Sequence, residues 1–379
     1  MGVIAEAIEK VSNALTTKPQ EVIDGEKFYA SALEAQKPFH RIWFQNIAHL
    51  LGQQYLEWNE QTNWLFVPDK PNYRVRLVIN LILPIVRTEI AKLLKSNPSF
   101  TGVPANSDDE SKSSARMASR LFESKYYEEF FQRKLYKLAM WRFSCGSAFM
   151  GALWDAQAGE VMTIEKTGPD GQPILGPDGK PVTMEIPVGE EVFDVSSPFE
   201  TLLEPGAPED FEEHRRVMRV KMMRIDDIED KWGVIVPKED FRENLSFYLR
   251  IKSFVDVAGT SRLNNEALNI DGMALVKEFC GLPTKKYPKG RHFIYANGVV
   301  IEPDGPLKYY RSGKIALPLA KFDDLTFPGR LYGGSMIEQL SPINVSFNRL
   351  NSAGIEDVNR LGRPKILSPK DALDEESWT

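Results

Sequence analysis

The sequence predicts an α+β fold with several long amphipathic helices, and three observations carry that prediction. Apolar residues recur at spacings of three and four in long runs before residue 142. The same spacing returns after residue 335, in the cleanest helical signal of the chain. Between these stretches lie short alternating runs separated by Pro-Asp-Gly and Asn-Gly turns, the pattern of strands and hairpins.

Taken in order, residues 1–25 predict a short helix (Val3, Ile4, Ala7, Ile8, Val11) ending near Thr16. Lys37 to Gln61 predicts a helix rich in bulky residues, among them Phe39, Trp43, Ile47, Leu50 and Trp58. Arg74 to Lys95 predicts another, with Val75, Val78, Ile82, Ile85 and Ile90 on one broad face and a kink at Pro84. Asn97-Pro98 ends it, and a polar loop with Asp108-Asp109-Glu110 follows. Ala115 to Arg142 is the third long helix, its stripe made by Met117, Leu121, Tyr127, Phe131, Leu135 and Leu138. Gly146 breaks that pattern, and Ala148 to Trp154 reads as a strand.

The β-rich part begins with strands at Val161–Ile164, Pro173–Leu175 and Val182–Ile186, separated by the turns Gly168-Pro-Asp-Gly171 and Gly176-Pro-Asp-Gly179. A strand then starts at Phe193 and leads to the Pro205-Gly206-Ala207-Pro208 loop. Val217 to Ile225 alternates as a half-buried strand does, and Asp226-Asp227 opens a short helix ending at Trp232-Gly233. A further helical segment covers Lys238 to Arg250. From Ala274 to Ala320 strands return, with Asn297-Gly298 as the clearest hairpin turn.

The last helix runs from Ser335 to Leu361. Ser335 caps it and Glu338 completes a capping box; Gly362 and Pro364 stop it. Leu340, Ile343, Phe347, Leu350, Gly354, Val358 and Leu361 form one stripe. The other side carries Asn344, Asn348, Asn351, Ser352 and Asn359, where a solvated helix would carry Lys and Glu. That side is an ordinary polar face, a contact with copies of the same helix, or the wall of a cavity in which fixed charge is unwelcome. A short strand at Lys365 and an acidic run, Asp371 to Glu376, close the sequence, which reads as truncated.

Composition narrows the function. With 379 residues, 42% hydrophobic and 26% charged, the chain is that of a folded soluble protein of two or three domains. A net charge of −6 argues against a general nucleic-acid coat but does not exclude a protein that DNA passes through. Two distant cysteines, Cys145 and Cys280, suggest a reducing compartment, and neither a signal peptide nor a spanning segment is expected.

No catalytic constellation stands out, so no enzyme, cofactor or metal is expected. His40, His49, His214 and His292 lack ligand spacing. Gly329 to Ser335 lacks the Lys of a phosphate-binding loop. Asp226, Asp227 and Asp230 are the acids expected in a helix's first turns, and Asp323-Asp324 has no third partner in view. The best contact candidates are the basic residues Lys285, Lys286, Lys289, Arg291, Lys308, Arg311 and Lys314, interleaved with Tyr287, Tyr309 and Tyr310. They serve DNA, an acidic protein, or only solvation.

Several stretches, in order along nearly the whole chain, resemble the portal (head-to-tail connector) proteins of tailed bacteriophages, especially short-tailed ones. They are Asn80-x-x-x-Pro84 leading to Lys95-Ser-Asn-Pro98, Phe143-x-x-Gly146 before a strand, and Phe193-Asp-Val-x-x-Pro198 leading to Glu204-Pro-Gly-Ala207. The strand into Asp226–Gly233, Pro288-Lys-Gly-Arg291 before a hairpin, and the helix start from Gly333 to Asn351 complete the set.

The resemblance implies a ring, commonly a dodecamer, at one capsid vertex of the virion, made in the host bacterial cytoplasm. Through it the genome is packaged and ejected. It implies a wing over residues 1–215, a stem approach over 216–260, a clip over 261–320, and a returning stem helix with the start of a further region over 321–379. Asn344, Asn348, Asn351 and Asn359 would then lie on a channel wall or ring contact, and the basic residues in the clip. The implied partners are other copies of the chain, the terminase large subunit, the major capsid or scaffolding protein, a tail adaptor protein and double-stranded DNA, with no membrane. Another head–tail connector ring, or a metal-dependent nucleic-acid-processing enzyme built on Asp226 or Asp323, are the alternatives.

Overall fold

A 31-residue helix organises the structure because its two halves meet different layers. The computed structural model describes residues 19–61, 64–71, 74–95, 100–104, 106–128, 130–155, 159, 161–165, 183–206, 210–237, 272–311 and 313–362. Helix α1 (Gln20–Leu50) carries Pro38 in its interior and starts well before the expected Lys37. It stops at Leu50, short of the expected Gln61, and strands β1 (Glu57–Asn59) and β2 (Trp64–Phe66) follow as a small hairpin.

Helix α2 (Ile82–Leu93) is half the length expected. Residues 74–81 are extended, and Asn80 Oδ1 accepts from the N–H groups of Ile82 and Leu83 at the helix entry. Pro84 therefore sits in a first turn, where its missing N–H costs nothing, and not at a kink. The third expected helix is two: α3 (Asp109–Glu128) and α4 (Phe131–Cys145), with Phe130 left-handed (φ 49°) at the start of the second. Gly146 ends α4 at φ 85°.

The strands are β3 (Ser147–Asp155), β4 (Val161–Glu165), β5 (Thr183–Pro187), β6 (Glu190–Ser196), β7 (Thr201–Leu203) and β8 (Arg216–Arg224). Helix α5 (Ile225–Trp232) follows as expected and ends on left-handed Gly233. Then come β9 (Met273–Gly281), β10 (Arg291–Ala296), β11 (Val299–Gly305), β12 (Tyr310–Arg311), β13 (Lys314–Ile315) and β14 (Leu319–Asp323). Helix α6 (Met336–Leu361) closes the described chain.

The largest sheet is antiparallel, in the order β11-β10-β9-β8-β7, and a second has the order β14-β3-β6. The first draws strands from both sides of the boundaries expected at 215 and 260, so those regions share one sheet. Asn297 (φ 43°) and Gly298 (φ 79°) form the expected two-residue turn between β10 and β11. Strand β4 pairs with β5, as a hairpin reading requires. The helices expected before Thr16 and over 238–250, the Pro-Asp-Gly turns, the strand at Pro173–Leu175 and the strand at Lys365 lie outside the described residues.

The first half of α1 lies on the five-stranded sheet: Val22, Phe28, Tyr29 and Ala32 pack against Leu202, Met218, Leu275, Phe279, Phe293 and Tyr295. Gly25 permits that approach, since a Cβ there would stand 2.5 Å from the Tyr295 ring. The second half buries Trp43, Phe44 and Ile47 against Phe149, Phe199, Leu203 and Tyr332. Between the halves, Gln36 Nε2 donates to the Pro198 carbonyl (2.6 Å), and its Oε1 lies 2.9 Å from His40 Nε2. At the end of α1, Leu50 joins Ile82, Val86 and Ile90 of α2, Phe143 of α4 and Ile337 of α6.

Candidate assembly interface

Helix α6 starts as its sequence dictates. Ser335 Oγ accepts from the Ile337 N–H at 3.0 Å, and Glu338 Oε1 accepts from the Ser335 N–H at 2.9 Å. Ser335 Oγ also donates to the Phe143 carbonyl, fixing the cap to the end of α4. The Gly333-Gly334 pair lets the chain pass beside Gly146: a Cβ on Gly146 would lie 2.3 Å from the Gly333 carbonyl oxygen.

The two faces of α6 are then placed the opposite way from an ordinary amphipathic helix. Asn344 and Asn348 are buried, 3% and 1% exposed, and Ser352 is buried beside them. They meet the extended segment 75–81. Leu81 N–H donates to Asn344 Oδ1 (3.2 Å), Ile79 N–H to Asn348 Oδ1 (3.0 Å), Leu77 N–H to Ser352 Oγ (3.0 Å) and Val75 N–H to Glu356 Oε1 (2.8 Å). The match is one of pitch. Four helix residues rise about 6.0 Å and two strand residues about 6.6 Å, so every second N–H meets a side chain one turn further along. Both Asn amides also donate to Gln54 Oε1.

Asn344 and Asn348, expected on a channel wall or ring contact, are thus engaged within the chain. Asn351 donates to the Phe347 carbonyl of its own helix, and Asn359 is exposed near the helix end. The unusual polarity is visible in the sequence but its cause is not, because the segment that the Asn side chains hold has the apolar spacing of a helix.

Beyond Leu340, which packs with Ile337 against α2 and α4, the apolar stripe faces outward. Ile343 is 68% exposed, Leu350 73%, Val358 68% and Leu361 78%, and Phe347 and Ile355 are also exposed. Gly354 lies among them with nothing within 4 Å of a Cβ built on it. Val78, Leu81 and Ile85, on the neighbouring segment and the start of α2, add further exposed apolar surface.

The basic candidates divide. Lys285, Lys286 and Lys289 are exposed on the β9–β10 loop, and Lys308, Arg311 and Lys314 on or beside the β12–β13 hairpin. Arg311 pairs with Glu212 (2.8 Å). Arg291 is instead engaged with Asp304 (2.8 Å) and Asp24 (3.2 Å), its guanidinium 4.3 Å from the Tyr287 ring centre.

Among the described residues the acidic candidates form no cluster of three ligating groups. Asp323 accepts from Ser147 and pairs with Lys321, while Asp324 accepts from the Met336 N–H at 2.9 Å. Burial pushes the Asp324 carboxyl up against the opposing effect of that N–H and of Arg142. Asp226 and Asp227 sit in the first turn of α5. Among the described residues the only trio with metal-ligating atoms close together is Glu278, Cys280 and His292. It already holds a cation: Arg219 donates to Glu278 through Nε at 2.9 Å. Burial alone would raise Glu278, but Arg219 and His292 overcome it and hold the carboxyl at about 2.

No protein-family model matches this chain, and no curated protein matches it. No described helix is long and apolar enough to cross a membrane.

Proposed function

We propose that this chain is a subunit of a portal-type ring of a tailed bacteriophage, the channel for genome packaging and ejection at one capsid vertex. The observation that carries the reading is the reversed helix α6: its polar side is spent inside the chain, and Ile343, Leu350, Val358 and Leu361 are left in solvent. A contiguous apolar face of this kind on a folded subunit marks a contact with another molecule. In a ring it meets a different face of the next copy, the heterologous contact that closes a cycle. The ring contact therefore belongs to this apolar face and not to the Asn residues.

In this reading the protein is a conduit and the motor is a separate terminase ATPase. The net charge of −6 keeps the phosphate backbone from being held. The exposed lysines of the β9–β10 loop and the β12–β13 hairpin face the terminase, the tail adaptor or passing DNA through weak, sequence-independent contacts.

Light scattering and negative-stain images of one fraction test this. Rings of about a dozen copies with a central hole are expected. Leu350→Glu with Val358→Glu should yield monomers of unchanged circular dichroism. A parent chain that stays monomeric at high concentration, or rings indifferent to both glutamates, would overturn the reading.

A further inference from the structure

A cavity of about 570 Å³ opens where the start of α1, the end of β9 and the β9–β10 loop converge. Its apolar lining is Phe28, Phe279, Leu282 and Tyr287, with Phe28 and Phe279 edge-to-face at 5.4 Å. Five cations line it against two carboxylates, Asp24 and Glu204. Arg216 Nε donates to Glu204 at 2.9 Å, and Arg291 is taken by Asp24 and Asp304. Lys27, Arg215 and Lys286 remain, all exposed and without an ion pair among the described residues. The site thus offers aromatic surface and three positive charges outside any ion pair, of which Lys286 stands 5.1 Å from the Tyr287 ring centre.

We propose that this cavity docks the acidic segment of residues 371–379 of this chain, Asp-Ala-Leu-Asp-Glu-Glu-Ser-Trp-Thr, which lies outside the described residues. The match is chemical. Four carboxylates, Asp371, Asp374, Glu375 and Glu376, answer the three open cations, and Leu373 and Trp378 supply apolar bodies for the aromatic lining. A bare phosphate would meet the same cations but leave that lining unused and face two wall carboxylates. Among the other acidic runs, Asp108 to Glu110 has no aromatic residue and is engaged at the start of α3, where Asp108 accepts from Ser111 and Asp109 pairs with Lys112, while Asp210 to Glu213 is tied down by Phe211 against the core and by Glu212 on Arg311. Docking is driven by opposite charge in a partly desolvated site, so it weakens with salt. It stands apart from the ring reading and does not require it.

The test uses the full chain. Ser31 lines the cavity and Ser377 lies between the acids and Trp378, while Cys145 and Cys280 are both buried. With Ser31→Cys and Ser377→Cys, mild oxidation should form a disulfide at least tenfold faster than the control pair Ser111→Cys and Ser377→Cys. Lys27→Glu with Arg215→Glu and Lys286→Glu should remove that advantage. The mass of the product shows whether the segment comes from the same copy or its neighbour, and either supports the docking. Equal rates for both pairs, or a rate indifferent to the charge reversals, would overturn it. As a second readout, a labelled peptide of residues 371–379 should bind a full chain carrying Asp371→Asn, Asp374→Asn, Glu375→Gln and Glu376→Gln about tenfold more tightly than the parent, whose own segment competes. No saturable binding to that variant would also overturn the proposal.

Discussion

The backbone N–H of Ile79 donates to Oδ1 of Asn348 at 3.0 Å, so a helix side chain stands where a neighbouring strand's carbonyl would. The same Asn348 amide donates to buried Gln54 Oε1, which Asn344 also serves. Asn348→Ala leaves the Ile79 N–H without its partner while Gln54 keeps Asn344, and such an orphan costs about 1–3 kcal/mol. A loss of roughly 1–3 kcal/mol is expected in urea unfolding. Asn351→Ala, which gives up a bond to its own helix only, should change stability by less than about 0.5 kcal/mol.

Much of the architecture was legible, and the failures share one cause. Capping at Ser335 and Glu338, the turn at Asn297-Gly298 and the stop at Gly233 depend on a few neighbouring residues, and each stands where the sequence put it. Residues 74–81 were misread because Val75, Val78 and Ile82 are spaced as on a helix, whereas their conformation is set by Asn344 and Asn348, some 270 positions away. The signal that was present is Asn80 followed by Pro84, a helix entry and not a kink. Which face of α6 turns inward was illegible for the same reason. Periodicity finds two faces, and only the partner segment decides between them. The cavity beside Phe28 was also missed, since its lining comes from residues near 24, 215 and 286.

Three glycines should respond differently to alanine. Gly146 combines φ 85° with a backbone carbonyl 2.3 Å from the new Cβ, so neither strain nor clash can relax cheaply. Gly146→Ala should cost more than about 3 kcal/mol or prevent folding. At Gly25 the obstacle is the Tyr295 ring tip, and roughly 1–3 kcal/mol is expected. Gly354 is helical, with open space around it, and Gly354→Ala should stabilise the subunit by about 0.5–1 kcal/mol. Thermal unfolding of the three variants checks the ranking; a Gly146→Ala protein as stable as Gly25→Ala would refute it.

Arg219 lies buried between Glu278 and Asp194, with Nη1 donating to Asp194 at 3.1 Å and Nη2 to Glu278 at 2.6 Å. Removing the cation leaves buried Glu278 with His292 alone, while Asp194 keeps Lys221, so Arg219→Met should destabilise by about 3 kcal/mol. Pairing it with Glu278→Gln removes the under-compensated charge. The double variant should recover at least 1 kcal/mol of that loss, an estimate resting on the cost of an unpaired buried charge. A double-mutant cycle in urea that came out additive would show that the two side chains are not coupled.

His40 supplies a pH dependence whose sign is fixed by its surroundings. Burial in the core of α1, with Lys37 adding a smaller effect of the same sign, lowers its pKa from 6.5 to about 3. The unfolded chain therefore binds this proton at a higher pH than the folded one. The resulting stability is present above pH 6.5, declines as pH falls, and is gone below about 3. At 1.36 kcal/mol per unit the full range amounts to about 5 kcal/mol, with about 2 kcal/mol of it between pH 6.5 and 5. His49, also lowered by burial, adds to the same slope. His292 opposes it: burial lowers its pKa, but the Glu278 partner prevails and raises it, so its contribution is full below pH 6.5 and fades above. Glu278, held at about 2, loses its contribution only below pH 4.5 and so stays out of the pH 5–7 window. Comparing the parent with His40→Gln at pH 7 and pH 5 cancels what the other groups contribute. The variant should be less stable at pH 7, because its side chain fits the ring-shaped site poorly, yet it should lose about 2 kcal/mol less than the parent on going to pH 5. Equal losses in the two proteins would mean that His40 takes up its proton without unfolding the core around Trp43 and Phe199.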